Sequence, residues 1–267
     1  MKMIVSILGC GWLGTSLGKH LIEQNYQVNG SSRSPIQLDI LSKLGINPFQ
    51  IDLENKPSKQ SLDSFVQCNA LIVCIPPTGM DNYSELFIPI VDSLKKEAKT
   101  PKIIFISSTS VYSDYGIYSD QSKEYSSKIR SQEILKTEDL FLDSFTDSII
   151  LRLAGLAGPK RNPGKFLSGR VNVANPNGPV NFVHQADCIA IITLLLSSQN
   201  AKGIYNVCSP EHPTRKEFYC KHAKQLNLEI PQFSMSEREK SKVIEANRLL
   251  KELNYRFIFP NPMNYSF

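Results

Sequence analysis

Six residues near the start, Gly9-Cys10-Gly11-Trp12-Leu13-Gly14, restrict the fold more than any other stretch of the chain. They follow directly on a short apolar run, Met3 to Leu8, and open the segment Trp12 to Glu23, where Leu13, Leu17, Leu21 and Ile22 recur at helical spacing. The expected local structure is strand, tight turn, helix. In that setting the first glycine permits the turn, the second lets a pyrophosphate approach the backbone, and the third lets the helix pack on the strand. Backbone N–H groups and the positive end of the helix dipole then face an anion. A glycine turn with no ligand is the alternative, and the position between strand and helix weighs against it.

The same alternation continues along the chain. Tyr26 to Gly30 reads as a strand, Ile36 to Leu44 as a helix, and Pro48 to Leu53 as a strand followed by the polar stretch Glu54 to Gln60. Ala70 to Ile75 is an apolar strand closed by Pro76-Pro77, Tyr83 to Lys99 a helix broken or entered at Pro89, and Lys102 to Ile106 another strand. Unbroken apolarity in Leu71 to Ile75 and Ile103 to Ile106 says that both faces of the sheet are covered. The fold class is therefore α/β, a Rossmann-type doubly wound parallel sheet. After Leu153 the texture changes: Gly155 to Gly178 holds five glycines and three prolines and reads as a long loop or small irregular lobe. A helix over His184 to Leu196, a strand over Ile204 to Val207, and helices over Thr214 to Leu226 and Glu237 to Leu253 complete the reading. Residues 1–155 form the cofactor-binding half, and residues 156–267 complete the sheet and supply a small C-terminal substrate lobe.

Composition excludes several classes. A length of 267 residues suits one core with an appended lobe and is short for two full domains, and 41% apolar with 21% charged residues is globular. The formal charge of +5 comes from scattered basic residues, which is weak evidence for nucleic acid and fits an anionic small molecule or no charged partner equally well, so charge alone does not decide. Cys10, Cys68, Cys74, Cys188, Cys208 and Cys220 form no C-x-x-C pair, and the four His include no H-E-x-x-H, so no metal site is expected. The cysteines read as reduced residues of a cytoplasmic protein. The apolar stretch before the first glycine, Ile4 to Leu8, is too short for a signal peptide, whose apolar core needs about 7 to 15 residues and a cleavage site of small residues. No stretch reaches the ~18 consecutive apolar residues of a membrane span.

The turn after the second strand distinguishes the two nicotinamide cofactors. An acidic residue there binds ribose hydroxyls, and a cationic one accommodates a 2'-phosphate. Here the chain has Gly30-Ser31-Ser32-Arg33-Ser34, with no carboxylate, so Ser32 and Arg33 favour NADP over NAD. A solvated loop arginine is the alternative. Strand ends in a parallel sheet point into the ligand crevice, which nominates Ile75, Pro76 and Ser107 as further cofactor contacts and the hydroxyls from Ser107 to Tyr112 for chemistry.

Several ordered strings together carry a resemblance. After the glycine turn come Ser107-Ser108-Thr109-Ser110-Val111-Tyr112, Leu151-Arg152-Leu153-Ala154-Gly155-Leu156-Ala157-Gly158-Pro159, Asn181-Phe182-Val183-His184-Gln185-Ala186-Asp187 and Gly203-Ile204-Tyr205-Asn206-Val207. This order resembles that of extended short-chain dehydrogenases/reductases of the NAD(P)-dependent epimerase/dehydratase family, and within it an atypical, YeeZ-like branch. The resemblance covers nearly the whole chain. It implies a Rossmann cofactor domain, a substrate lobe and nucleotide-sugar substrates, with Ser108 orienting a substrate hydroxyl. It also implies a Tyr acting as general acid/base beside a Lys in Y-x-x-x-K.

The chain departs from the pattern at that pair. Four residues after Tyr112, Tyr115, Tyr118 and Tyr125 stand Gly116, Ser119, Ser122 and Ile129. The nearest string is Tyr125-Ser126-Ser127-Lys128, and spacing of three instead of four turns the side chain by about 100° on a helix. Ser126 or Ser127 is a natural N-cap for the next helix, which leaves Tyr125 before it. The glycine that ends V-Y-G is also replaced, by Ser113. Ser108, Tyr125 and Lys128 are nonetheless the catalytic candidates. Asp187 reads as an N-terminal cap or charge complement of its helix, His184 as a packing residue and Arg152 as a buried, paired arginine. Arg161, Lys165 and Arg170 suit either an anionic substrate or a solvated face. The expected function is an NAD(P)-dependent oxidoreductase or epimerase acting on a nucleotide sugar or another hydroxyl or carbonyl compound. Its partner is a small molecule, with neither nucleic acid nor membrane, and a homodimer is compatible. The rival is an NADP-binding sensor that has lost catalysis.

Overall fold

The apolar run and glycine turn fold as β1 (Ile4–Leu8) and α1 (Trp12–Glu23), joined through Gly9 at φ 98°. The structure, a computed structural model, describes residues 2–55, 57–77, 82–234 and 241–267. α1 buries Leu13, Gly14, Leu17, Gly18 and Leu21 on one face, the period read from the sequence. Then follow β2 (Gln27–Ser32), α2 (Pro35–Lys43), β3 (Asn47–Gln50), α3 (Lys59–Val66), β4 (Ala70–Val73), α4 (Ile88–Leu94), β5 (Lys102–Ser108) and the short β6 (Gly116–Tyr118). The chain continues through α5 (Ile129–Ser144), β7 (Ile149–Leu153), β8 (Gly155–Ala157), α6 (Gly164–Leu167), β9 (Phe182–His184), α7 (Gln185–Ser197) and β10 (Gly203–Val207). It ends with α8 (Arg215–Gln225), β11 (Lys242–Ile244) and α9 (Asn247–Glu252).

Seven strands form one parallel sheet in the order β10-β7-β5-β4-β1-β2-β3. The register sets Val5 against both Val28 and Ala70, so the glycine turn leaves the sheet from a central strand. Reversal of strand order beside β1 makes a crevice at its carboxyl end. Among the described residues, no helix is long and apolar enough to cross a membrane.

Close contacts divide the chain into two compact units, each drawn from three stretches. The first comprises Met1–Ser107, Lys128–Leu151 and Ile191–Ile204. Its core includes an aromatic cluster in which Phe87 meets Tyr83, Phe105 and Phe141 edge-on at 5.0, 5.9 and 5.8 Å. The polar stretch after β3 leads into α3, a helix not expected there: Ser58 caps it by accepting from Ser61 N at 3.2 Å, and Leu62, Phe65 and Val66 make the buried stripe. The expected Tyr83 to Lys99 helix is shorter, because a 3₁₀ turn at Glu85–Phe87 precedes α4 and Pro89 sits in its first turn, where a missing N–H costs nothing. The cap of α5 is Lys128, not Ser126 or Ser127; the Ser126 amide is already paired with Val111 O at 2.8 Å in extended structure.

The second unit comprises Ser108–Ser127, Arg152–Ala190 and Tyr205–Phe267. Here the Gly/Pro-rich segment contains β8 and α6. His184 ends β9 and does not begin the helix, which starts one residue later. The expected helix from Glu237 to Leu253 is replaced by β11 and α9, and Glu237 itself lies outside the described residues. Asp187 lies in the first turn of α7, where its charge complements the helix dipole, and its carboxylate also anchors the C-terminal segment by accepting from Tyr255 Oη and Ile258 N at 2.7 Å and from Phe259 N at 3.1 Å.

Two buried histidines hold the same segment. His184 Nε2 pairs with Ser266 O at 2.9 Å while its Nδ1 accepts from Ala186 N at 3.2 Å, an arrangement that only the neutral ring satisfies. His222 Nε2 pairs with Pro262 O at 3.1 Å. Burial holds both rings below the ordinary value of 6.5, although Asp187 pulls His184 the other way. The folded chain thus binds fewer protons than the unfolded one just below that value. The stabilisation is complete above pH 6.5 and is lost as pH falls through the lowered values. Thermal unfolding between about pH 7.5 and pH 5 should show stability falling by up to about 1.4 kcal/mol per pH unit per histidine. A His184→Gln, His222→Gln double variant should flatten that slope, and an equal slope in variant and parent would reject the assignment.

Candidate functional site

The carboxyl ends of β1, β2, β3 and β4 enclose a cavity of about 460 Å³ in the first unit. Gly9, Gly11, Ser32, Arg33, Ile75 and Pro76 line it, together with Cys10, Ser31, Ser34, Gln37, Ile51, Asp52, Leu53, Glu54, Cys74 and Leu86. Trp12, Leu13 and Gly14 lie in the first turn of α1 and are not among the lining residues described; Leu13 and Gly14 pack inward. A Cβ on Gly14 would stand 2.5 Å from Gly9 O, so this position has no room for a side chain. Gly11 is different. Among the described residues nothing lies within 4 Å of where its Cβ would be, so the turn opens onto free space there. No side chain among the described residues caps the N-terminus of α1, which leaves its dipole facing that space.

Hydrogen bonds hold the rim. Cys10 N donates to Ser31 O at 2.8 Å and Gly9 N donates to Ser31 Oγ at 2.9 Å, which ties the glycine turn to the end of β2. Tyr83 Oη donates to Ile75 O at 2.6 Å and fixes the end of β4. Cys10 and Cys74 contribute bulk, not nucleophilicity: burial pushes the Cys10 thiol up to about 12 and that of Cys74 further in the same direction. All six cysteines are free thiols.

Arg33 does not stand alone. Its Nη1 lies 3.5 Å from Glu54 Oε2, and the two side chains are 66% and 44% exposed. Asp52 accepts from Glu54 N at 3.1 Å and from Asn55 Nδ2 at 2.8 Å, closing a local turn. The sequence reading passed over Asp52, Leu53 and Glu54, although the strand-end rule used for β1, β2 and β5 applies equally to β3.

Ser107 ends buried in the first unit, where its hydroxyl donates to the carboxylate of buried Glu138; it is not among the lining residues described. Lys128, in the same unit, is the exposed N-cap of α5. Ser108 belongs to the second unit and is half-buried; its Oγ accepts from Ser110 N at 3.1 Å and retains a proton to donate. Tyr125, also in the second unit, lies on a segment bridged to Tyr112, and its ring is 6.2 Å from that of Tyr112. Arg152, 1% exposed, spans both rings: the guanidinium is 4.9 and 5.2 Å from their centroids, and it donates to Tyr112 Oη at 2.8 Å and Tyr125 Oη at 3.4 Å. Tyr112 in turn donates to Asn206 Oδ1 at 2.9 Å. Burial pushes the Tyr112 phenol up, with Arg152 opposing. In the Gly/Pro-rich segment, Arg161 Nε donates to Leu156 O at 3.0 Å, and Arg161, Lys165 and Arg170 are exposed. Among the described residues no group of three or more His, Cys, Asp or Glu is placed to hold a metal.

No family model matches the chain. Protein YeeZ of Escherichia coli strain K12 is 34% identical over 267 residues, with 97% of each chain covered. Among solved structures, UDP-glucuronic acid 4-epimerase from Bacillus cereus, in complex with UDP-glucuronic acid and NAD, superposes with a TM-score of 0.79 at 16% identity, over 98% of this chain and 96% of that one. The human epimerase family protein SDR39U1, with NADPH, gives a TM-score of 0.75 at 18% identity over 98% and 97%. At these identities the structural likeness is one of fold. With 34% identity to YeeZ over 97% of both chains, on the glycine turn and parallel sheet described above, the chain belongs to the YeeZ family.

Proposed function

We propose that the chain is an NAD(P)-dependent oxidoreductase or epimerase-like protein that acts on a nucleotide sugar or another hydroxyl or carbonyl compound. The observation that carries this reading is the glycine turn of β1 and α1 opening at Gly11 onto the cavity lined by Ser32 and Arg33. The residues present fit a dinucleotide: a helix N-terminus and tight turn for the pyrophosphate, a guanidinium and hydroxyls for a 2'-phosphate, and apolar Ile75 and Pro76 along the wall. Gly9, Gly11 and Gly14, with the backbone of Trp12 and Leu13, hold the pyrophosphate. Ser32 and Arg33 take the 2'-phosphate, which favours NADP over NAD, and Ser107 is the remaining cofactor-binding candidate. The bound cofactor supplies the hydride chemistry.

Ser108 orients the substrate hydroxyl through its free proton. Tyr125 is the acid/base candidate and Lys128 a cofactor contact. Residues 1–155 serve the cofactor, and 156–267 complete the sheet and bind substrate, with Arg161, Lys165 and Arg170 available to an anionic group. The setting is cytoplasmic, and a homodimer is compatible with this reading. A second reading, a cofactor-binding sensor without catalysis, draws on one observation: Tyr125 lies on an extended segment before α5, with Lys128 at the cap, so the pair does not share a helical face.

Gly11→Ala separates ligand binding from folding. Its methyl meets no described protein atom, so thermal stability should change by less than about 1 kcal/mol. The same methyl enters the space assigned to pyrophosphate, so NADPH affinity measured by calorimetry should fall about tenfold or more. Unchanged NADPH binding in this variant would remove the pyrophosphate assignment. For chemistry, cofactor turnover across a panel of nucleotide sugars and carbonyl compounds should drop by about 100-fold or more in Ser108→Ala and Tyr125→Phe. Undiminished turnover in both variants rejects the acid/base assignment, and binding without turnover of any compound favours the sensor.

A further inference from the structure

We propose that Glu54 sets the preference between the two nicotinamide cofactors by competing for Arg33. The inference rests on the reading that this cavity binds a dinucleotide, and it assigns a role to a carboxylate that the reading does not use. Glu54 Oε2 lies 3.5 Å from Arg33 Nη1, and both residues line the cavity. A 2'-phosphate and the Glu54 carboxylate therefore seek the same guanidinium donors.

The arrangement is built from the local sequence. Where β3 ends, Asp52 draws the chain into a turn by accepting from Glu54 N at 3.1 Å and from Asn55 Nδ2 at 2.8 Å. Asp52 is thereby committed to the turn, and Glu54 is the carboxylate presented to Arg33. On the other side of the pair, Ser32 Oγ accepts from Ser34 N at 3.1 Å, Ser34 Oγ accepts from Gln37 N at 3.4 Å, and each keeps its own proton to donate. The rim thus offers cationic and hydroxyl donors to a phosphate, and to ribose hydroxyls it offers the Glu54 carboxylate with that of Asp52 beside it in the turn. Both halves of the usual discrimination meet in a single ion pair, although the turn after β2 has no acidic residue.

The pair is half-exposed, and under solvent screening pairs of this kind are held only weakly. A phosphate dianion is the stronger partner for Arg33, but it must displace Glu54 and then stand near its negative charge. The expected result is a chain that accepts both cofactors with only a modest bias to the phosphorylated one.

The test uses the adenosine fragments of the cofactors, so no catalysis is needed. Calorimetry with 2',5'-ADP and with 5'-AMP on the full chain gives an affinity ratio. Glu54→Gln should raise that ratio in favour of 2',5'-ADP by about fivefold. The same substitution in an Arg33→Ala background should shift it less, because the contested donors are gone. Binding of both fragments with a ratio unaltered by Glu54→Gln overturns this inference and leaves the cofactor site intact. An equal shift with and without Arg33 overturns the route through Arg33. Binding of neither fragment to the parent chain overturns the cofactor reading as well.

Discussion

Where α1 leaves β1, the chain passes so close to itself that a Cβ on Gly14 would stand 2.5 Å from Gly9 O. No other residue type lets a helix start there without moving the strand exit. The rest of the crevice is arranged around that contact. With the turn in place, Cys10 N and Gly9 N reach Ser31 O and Ser31 Oγ, which locks the end of β2 beside the end of β1. The end of β4 is held on the other side by Tyr83 on Ile75 O. Cavity walls, helix dipole and the position of Arg33 all inherit their placement from one steric allowance.

Local signals explain what was legible in the sequence. α1 coincides with its expected bounds because its stripe, glycine entry and length all agree, and β1, β4 and β5 fall within one or two residues of theirs because unbroken apolar runs suit a sheet covered on both faces. α3 was hidden because its stripe of Leu62, Phe65 and Val66 is diluted by polar neighbours and follows a Pro-containing polar stretch. The expected helix from Glu237 failed for a different reason. β11 exists through pairing with β6, more than a hundred residues away, with Lys242 opposite Gly116 and Ile244 opposite Tyr118. A strand made by a distant partner leaves little periodicity of its own. The site was legible in proportion to its locality. The glycine turn is a contiguous string, whereas the Arg33–Glu54 pair joins the ends of two strands whose adjacency only the sheet supplies.

The same point bears on Tyr125. Spacing treats it as the tyrosine of a failed Y-x-x-x-K, judged by what lies three or four residues later. In the second unit it is ordered by residues remote in sequence: Tyr112 beside it, and Arg152 reaching over both rings from the end of β7. Arg152 is buried, so its charge is held in place by the phenol oxygens and ring faces it contacts, where desolvation strengthens the cation–π contact. Tyr112 passes the linkage to Asn206, which accepts from Tyr112 Oη at 2.9 Å, donates to Tyr118 O and Glu245 O at 3.3 and 3.1 Å, and has its backbone N–H on Asp120. A helix turn that brings a lysine to a tyrosine is a local device. Here a buried polar network spanning β10, β7 and the segment after β5 orders the same type of side chain. Tyr125 Oη accepts from Arg152 and keeps its own proton to donate.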